Sequence, residues 1–290
     1  MQIRLIPNSG KGTAIDLPAE FALDDMELKI AIPSIILAER HGKYVFSDLV
    51  RMDAVTLTAS GFIQGGDLQS VEGLLNEYKA NFLGSGEMWL KRDIDAETFL
   101  RVRANRVSVN YNRGRFKGLL PEMVIEFEAN VPWWYSTVVL KKIQVLESNK
   151  EEWTVKHSGT SPQCPVICIS CNSDALNPIS NVKLKNNTTG SELQYSGTIS
   201  PGESLLIRCN PMMAYKGALD FETVLTLWEM EYSSGYELGT EEATNVLSKL
   251  NPEWLAYGWG FLPGDNVISY MADVASFEGT VSFGWRPRYY

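Results

Sequence analysis

Long apolar runs are scarce in this sequence. The longest mostly apolar stretch, residues 30–38, is interrupted by Pro33 and Ser34 and is far shorter than the ~20 residues that a membrane-spanning helix needs. The first residues, MQIRLIPNSG, lack the apolar stretch of a secretory signal, so we expect synthesis in a cytoplasm. Polar low-complexity tracts are also missing, and 44% of the residues are hydrophobic. We therefore expect an ordered, globular chain.

Cysteine is rare as well, with four residues at Cys164, Cys168, Cys171 and Cys209. Four cysteines are too few for a disulfide scaffold in a chain of 290 residues, so we expect reduced, buried thiols. In a strand, Cys168 and Cys171 would point to opposite faces, and Cys164 would lie ~13 Å from Cys168 at ~3.3 Å per residue. These residues could not ligate one metal ion in that conformation, so no metal and no cofactor are predicted.

Histidine occurs only at His41 and His157, and neither lies in a metal-binding or nucleophile motif. His157 would complete a zinc site with the cysteines only if the chain bent sharply at Pro165. Because no catalytic constellation is recognisable, the sequence predicts a protein that is not an enzyme.

The net charge of −9 is unevenly distributed. Residues 1–148 hold 17 basic and 19 acidic side chains, whereas residues 149–290 hold 9 and 16, so neither half resembles a nucleic-acid binder. One basic cluster has no acidic residue within the segment 99–120, and its members are Arg101, Arg103, Arg106, Arg113, Arg115 and Lys117. The cluster is interpreted either as a solvated hairpin face or as a patch that docks onto an acidic neighbouring subunit, with nucleic-acid binding as a third alternative.

Short segments of alternating apolar and polar residues dominate the sequence and predict β-strands, for example at residues 55–58, 106–111 and 123–128. Asn112-Arg113-Gly114 predicts a hairpin turn between two of them. One helix is predicted after Asp67, a natural N-cap, and before Gly84, a natural stop. Its apolar positions recur every three or four residues, at Leu68, Val71, Leu74, Leu75, Tyr78 and Phe82. A second helix is predicted at residues 240–249.

The sequence thus predicts a mainly β protein of two domains. A polar connection at residues 147–152 lies between apolar runs, so we assign residues 1–148 to an α+β domain and residues 149–290 to a β-sandwich rich in turns. Near the end of the sandwich, Trp254, Tyr257, Trp259 and Phe261 form an aromatic segment. These rings could stack on a sugar or pack against the opposite sheet.

Several segments resemble the distal tail proteins (Dit) of siphophages. They cover residues ~55 to 290 in the order that the family shows: the helix pattern at residues 67–75, the aromatic motif at 131–136, the start of the C-terminal domain at 157–165, a turn and strand at 199–207, the LPGDN motif at 261–268 and the last strand at 285–290. The family often carries a glycine-rich stretch in its first fifty residues, which residues 39–43 match only in degenerate form. The structure of residues 1–50 therefore stays open.

The resemblance implies a hexameric ring that the first domain builds around the axis of the tail tube, with a galectin-like β-sandwich as the second domain. Such a hub joins the tail tube above to baseplate, tail-tip or receptor-binding proteins below. It is a virion component made in the host cytoplasm, without membrane insertion or catalytic residues. The alternative is a carbohydrate-binding protein that uses Trp254, Tyr257 and Trp259, or another phage tail protein that contacts the host surface.

Overall fold

The chain folds into two units, Met1–Trp134 and Tyr135–Tyr290, in a computed structural model. The fold is mainly β, as the sequence predicts, with several antiparallel sheets and one long helix among the described residues. The structure describes residues 3–6, 13–18, 22–24, 38–40, 43–45, 55–64, 67–84, 86–92, 95–115, 120–129, 133–209, 212–222, 225, 243–251, 259–273 and 278–289.

The first unit is a sheet with one helix. Its helix α1 is Leu68–Gly84, and its strands are β1 (Ile3–Ile6), β2 (Ile15–Asp16), β3 (Ala22–Asp24), β4 (Ala38–Arg40), β5 (Lys43–Val45), β6 (Val55–Phe62), β7 (Glu87–Arg92), β8 (Asp95–Arg115) and β9 (Leu120–Ala129). The strand order of the sheet is β2-β1-β7-β8-β9-β6-β3, and β4 pairs with β5. The strand β10 (Trp134–Ser136) spans the boundary between the units.

Helix α1 begins and ends where its sequence signals predict. The Asp67 carboxylate accepts hydrogen bonds from the backbone N–H and the hydroxyl of Ser70, each at 2.7 Å, and these bonds lower the pKa of Asp67. Val71 and Phe82 are buried, and the Phe82 ring meets Phe127 of β9 edge-on at 6.4 Å. The apolar stripe of the helix therefore covers one face of the sheet, where each buried large side chain contributes ~1.5–3 kcal/mol.

The second unit is a sandwich of two sheets. Its strands are β11 (Leu140–Leu146), β12 (Lys150–His157), β13 (Val166–Cys171), β14 (Ile179–Asn186), β15 (Glu192–Ile199), β16 (Ser204–Cys209), β17 (Met212–Gly217), β18 (Ala243–Asn245), β19 (Gly264–Met271), β20 (Gly279–Trp285) and β21 (Arg288–Tyr289). One sheet has the order β11-β20-β13-β16-β17-β18, and the other has the order β12-β19-β14-β15. Alternate residues of both sheets share a single buried core, which is the arrangement of a β-sandwich.

The polar connection at residues 147–152 lies inside the second unit. The preceding strand β11 pairs along its whole length with β20, while the following strand β12 pairs with β19 of the other sheet. The chain therefore uses this polar segment to pass from one sheet of the sandwich to the other. Sequence composition predicts an exposed connection at this point, but it does not distinguish a turn within a domain from a linker between domains.

The predicted hairpin is confirmed, since the consecutive strands β8 and β9 pair antiparallel, but its turn does not lie at residues 112–114. Strand β8 continues to Arg115, which pairs with Leu120 of β9, so the chain reverses between these two residues. The ladder shifts its register between Asn110 and Arg115. Gly114 thus falls in an irregular part of a strand, where glycine is common, rather than at the tip of a turn.

The predicted second helix at residues 240–249 is also wrong over its described part. Strand β18 and a single 3-10 turn, Leu247–Lys249, occupy residues 243–249. Ala243, Val246 and Leu250 are buried at spacings of three and four, which imitate a helical stripe. Pairing of β18 with β17 and a bridge from Leu250 to Tyr195 of β15 select the observed conformation.

A substitution at Gly197 tests the packing of this sandwich. A Cβ atom at Gly197 would lie 2.4 Å from Cζ and 2.5 Å from the hydroxyl oxygen of Tyr195, whose side chain is fully buried. We expect Gly197→Ala to lower the free energy of unfolding by about 1–3 kcal/mol in chemical denaturation, because the ring has no room to retreat. The loss should shrink when Tyr195 is first replaced by leucine, and an equal loss in both backgrounds would contradict this explanation.

Candidate interaction site

Five of the six residues of the basic cluster belong to strand β8, and carboxylates of the neighbouring strands lie beside Arg101 and Arg106. Arg101 Nη1 is 3.8 Å from Glu87 Oε1 of β7, and Arg106 Nη1 is 3.6 Å from Glu126 Oε1 of β9. The register also places Arg103 opposite Glu87 and Glu128. Glu87, Glu126 and Glu128 lie outside the segment 99–120, so the composition of that segment does not reveal these cross-strand partners.

The remaining members of the cluster lie toward the end of the β8–β9 pair. Arg113 and Arg115 are residues of β8, but their side chains lie outside the described part of the structure, as does all of Lys117. The side chains of Arg106 and Glu126 are 68% and 38% exposed, so their ion pair contributes at most ~1 kcal/mol to the free energy of unfolding. Arg101 and Arg106 thus have partners within their own sheet, and the interface hypothesis for the cluster stays a prediction.

The described part of the aromatic segment is core. Trp259 is 1% exposed, and its ring stacks on Phe283 of β20 with centroids 5.8 Å apart and planes inclined by 8°. Phe261 is fully buried and lies 5.5 Å from both rings. Trp254 and Tyr257 lie outside the described residues. Packing against a sheet thus accounts for Trp259, since a sugar could not reach a ring that is buried to this extent.

The cysteines follow the strand geometry that the sequence predicts. Cys171 belongs to the core between the sheets, whereas Cys168 lies on the opposite face of β13 with Leu206 and Tyr215. All four cysteines are free, and burial raises the pKa of the Cys168 thiol. Within the described ranges, no group of three or more histidine, cysteine or acidic side chains is arranged to hold a metal ion. The helix of this part is not long and apolar enough to cross a membrane.

Two motifs that are about 150 residues apart in the sequence meet at one corner of the second unit. Arg286 Nη1 donates hydrogen bonds to the carbonyl oxygens of Ser136 at 2.9 Å and Thr137 at 2.7 Å. The backbone N–H of Ser136 donates to the carbonyl of Pro287 at 2.9 Å, and the guanidinium of Arg288 lies 5.5 Å from the centroid of the Tyr135 ring. The segment 286–288 thus holds the chain where the second unit begins.

His157 is buried beside this corner. Its Nε2 donates to the carbonyl oxygen of Ser161 at 2.8 Å, and the ring is 1% exposed. The backbone N–H groups of Thr160 and Ser161 donate to the carbonyl oxygen of Arg288. Gly159 permits this close approach, since a Cβ at this position would lie 2.5 Å from that same oxygen. Burial lowers the pKa of His157 further than its hydrogen bond raises it, and the Arg288 charge adds to the lowering.

The LPGDN motif is organised by a buried asparagine. The side chain of Asn266 donates to the carbonyl oxygens of Leu262 at 2.8 Å and Gly264 at 3.1 Å, and its Oδ1 accepts from the N–H of Leu262 at 2.9 Å. Asn186, also fully buried, donates to the same Oδ1 and to the carbonyl of Gly260. These bonds couple the motif to the polar turn at residues 187–190, where Thr188 hydroxyl accepts from the N–H of Val267.

Comparison with known proteins identifies a shared fold. No protein-family model matches the sequence, and no curated protein is significantly similar to it. The structure is similar to the crystal structure of the SPP1 Dit (gp 19.1) protein, described as a paradigm of the hub adsorption apparatus in phages that infect Gram-positive bacteria. The TM-score is 0.59 at 11% sequence identity, and the match covers 98% of each chain. The likeness therefore extends over both units.

The buried histidine predicts a pH dependence of stability. Because the pKa of folded His157 lies below the value of 6.5 for an unperturbed histidine, only the unfolded state takes up a proton as the pH first falls below 6.5. We expect the free energy of unfolding to decrease with decreasing pH in this window. His157→Gln keeps a donor for Ser161 but does not titrate. The difference in free energy of unfolding between the unsubstituted protein and this variant should therefore narrow as the pH falls. If urea denaturation gives the same difference in free energy of unfolding at every pH from 7.5 to 5, the lowered pKa of His157 would be contradicted.

The buried side chain of Asn266 is predicted to stabilise the second unit through its hydrogen bonds. Asn266→Ala removes the partners of buried N–H and carbonyl groups, so we expect a loss of about 1–3 kcal/mol in the free energy of unfolding. Asn266→Asp should lose a similar amount, because a carboxylate cannot donate to the two carbonyl oxygens. Asp265→Ala is the matched control, since this neighbouring side chain is exposed. Equal stability of the Asn266 and Asp265 variants in urea denaturation would refute the role of Asn266.

Proposed function

We propose that this protein is a structural component of a phage tail, the hub at the distal end of the tail tube. The observation that carries the proposal is the likeness to the SPP1 hub protein along the whole of both chains. A single shared domain would support the fold alone, since common folds serve many functions. Two different units in the same order and with nearly equal coverage support a shared architecture, in agreement with the motifs that resemble distal tail proteins.

In this proposal the first unit forms a hexameric ring around the tail axis, in contact with the tail tube above and with baseplate, tail-tip or receptor-binding proteins below. A closed ring requires a head-to-tail contact between different faces of adjacent subunits. The outer strands of the sheet, β2 and β3, have only two and three residues, so the pairing that they offer a neighbour is limited. Side chains such as those of Arg113 and Arg115 then contribute to the contact between subunits.

The charge of the chain suits a conduit for DNA. Six copies with a net charge of −9 each would carry −54 in total, and an acidic channel repels the phosphate backbone instead of binding it. The basic cluster is accordingly placed at a subunit contact, away from the channel. The second unit, a galectin-like sandwich in this proposal, projects from the ring in the virion.

A catalytic role is not proposed for this fold. His157 is enclosed and donates to a backbone carbonyl, so its position in the structure is explained without chemistry on a substrate. Carbohydrate binding through the aromatic segment is less favoured, because Trp259 belongs to the core. Binding of a glycan by the intact protein would instead support carbohydrate binding as the function.

Particle mass in solution tests the ring. Six copies of the 32.4 kDa chain have a mass of about 194 kDa, which light scattering over a concentration series should detect, and negative-stain images should show a closed ring. We expect the double substitution Arg113→Glu and Arg115→Glu to raise the concentration needed for assembly at least tenfold, equivalent to about 1.4 kcal/mol.

The matched control reverses the same charge elsewhere. Lys185→Glu with Lys249→Glu changes two exposed lysines of the second unit and should leave assembly unchanged. Normal rings in the Arg113 and Arg115 variant would refute the interface assigned to these residues. A monomer at every concentration, also in the presence of the cognate tail tube protein, would refute the hub.

A further inference from the structure

The turn that follows β12 packs directly on the last strand. The backbone N–H groups of Thr160 and Ser161 donate to the carbonyl oxygen of Arg288 in β21 at 2.9 and 3.2 Å. A Cβ atom on Gly159 would lie 2.5 Å from the same oxygen and 2.9 Å from the backbone nitrogen of Arg288. The turn and the strand therefore touch through their backbones, in a contact that a side chain at residue 159 would prevent.

The imidazole of His157 packs on the same turn. Its Nε2 donates to the carbonyl oxygen of Ser161 at 2.8 Å, and a Cβ atom on Gly159 would lie 2.7 Å from its Cε1. The ring of His157 and the backbone of Arg288 thus crowd the same point of the turn. Since the ring is 1% exposed, it reaches water only if the turn moves, and that movement breaks the hydrogen bonds to Arg288.

The enclosed ring fits only in its neutral form. Because Nε2 carries the proton that Ser161 accepts, a second proton would have to bind Nδ1, which has no hydrogen-bond partner among the described residues. A buried charge without a partner is strongly destabilising. Burial accordingly lowers the pKa of His157 more than the Ser161 hydrogen bond raises it, and the positive charge of Arg288 lowers it further.

The described groups that face His157 carry no negative charge that would stabilise an imidazolium in the closed turn. Arg288 is positive, and burial raises the pKa of Cys164, which stays a neutral thiol as the pH falls. Gly264 of β19, opposite His157, has no side chain. The two charged residues beside this pair are exposed to solvent, Lys156 and Asp265. Protonation therefore favours a state in which water reaches the ring.

The last strand in turn holds the first residues of the second unit. Hydrogen bonds and a cation–π contact join residues 286–288 to residues 135–137. Strand β21 pairs with β10 and belongs to neither sheet of the sandwich. Loosening of this strand therefore leaves the pairing of both sheets intact.

We propose that the turn at residues 158–161 is an acid-sensitive latch, which opens when His157 takes up a proton and loosens the hold of residues 286–289 on residues 135–137. If the open turn restores the ordinary pKa of 6.5 to His157, the open population rises up to about thirtyfold between pH 7.5 and 5. The sandwich core stays folded during this opening. The latch belongs to the second unit alone and does not depend on the proposed function.

Hydrogen exchange of the full chain tests the latch. His41→Gln serves as the parent protein, so that His157 is its only histidine. After correction for the intrinsic effect of pH on exchange, we expect the protection of the Thr160 and Ser161 amides to fall at least tenfold between pH 7.5 and 5. Protection at residues 286–289 should fall with it, whereas the amides of β13 and β16 in the core should keep theirs.

The matched control is His157→Gln in the same parent, because glutamine keeps a donor for Ser161 but does not titrate. Protection of its turn should be the same at every pH in this range. An equal loss in the glutamine variant would overturn the latch, as would unchanged protection of the parent turn down to pH 5. A simultaneous loss in β13 and β16 would also overturn it, since the whole unit would then be unfolding.

A second variant opens the latch without a change of pH. The added Cβ of Gly159→Ala displaces the ring of His157 or the backbone of Arg288, so the Thr160 and Ser161 amides should lose protection at least tenfold at pH 7.5. An NMR titration should then show the pKa of His157 rising toward 6.5. Gly73→Ala, at a position with open space around the added Cβ, should change neither quantity. Lost protection with an unchanged pKa of His157 would refute the coupling.

Discussion

The second unit depends on the burial of aromatic rings between its sheets. Phe283 of β20 lies 5.8 Å from Trp259, 5.5 Å from Phe261 and 6.4 Å from Trp153 of β12, and Phe261 lies 5.1 Å from Trp285. These contacts join the six-stranded sheet, the four-stranded sheet and the segment that precedes β19. Large rings remove more apolar area from water than any other side chains, so this cluster sets the spacing of the sandwich.

The turns at the edge of that cluster have little freedom once the rings are in place. The backbone of Phe261 exchanges two hydrogen bonds with Gln163, and the N–H groups of Thr160 and Ser161 donate to the carbonyl oxygen of Arg288 in the last strand. Asn266 closes the following turn through its side chain, and Arg286 secures the start of the unit. Buried polar groups of this kind must find partners, so they define one arrangement of the loops where apolar packing alone would permit several.

Buried polar residues stabilise the turns of the second unit. The residues with the most constrained surroundings, among them His157 and Asn186, are bonded to backbone groups of neighbouring turns, and they stabilise shape. The fold is retained relative to the SPP1 protein at 11% identity, as expected if apolar patterning and core volume are maintained while individual residues change.

Local sequence signals determined much of this fold. The spacing of Val71, Leu75 and Phe82 predicted helix α1 with both of its ends, and strand geometry separated Cys168 from Cys171, because periodicity and capping act over a few residues. Contacts between distant strands decided the rest. The carboxylates beside Arg101 and Arg106, the course of β8 through Gly114 and the absence of a second helix over residues 243–249 depend on which strands become neighbours. Pairing partners far apart in the chain leave no local pattern, so only the tertiary structure could decide them.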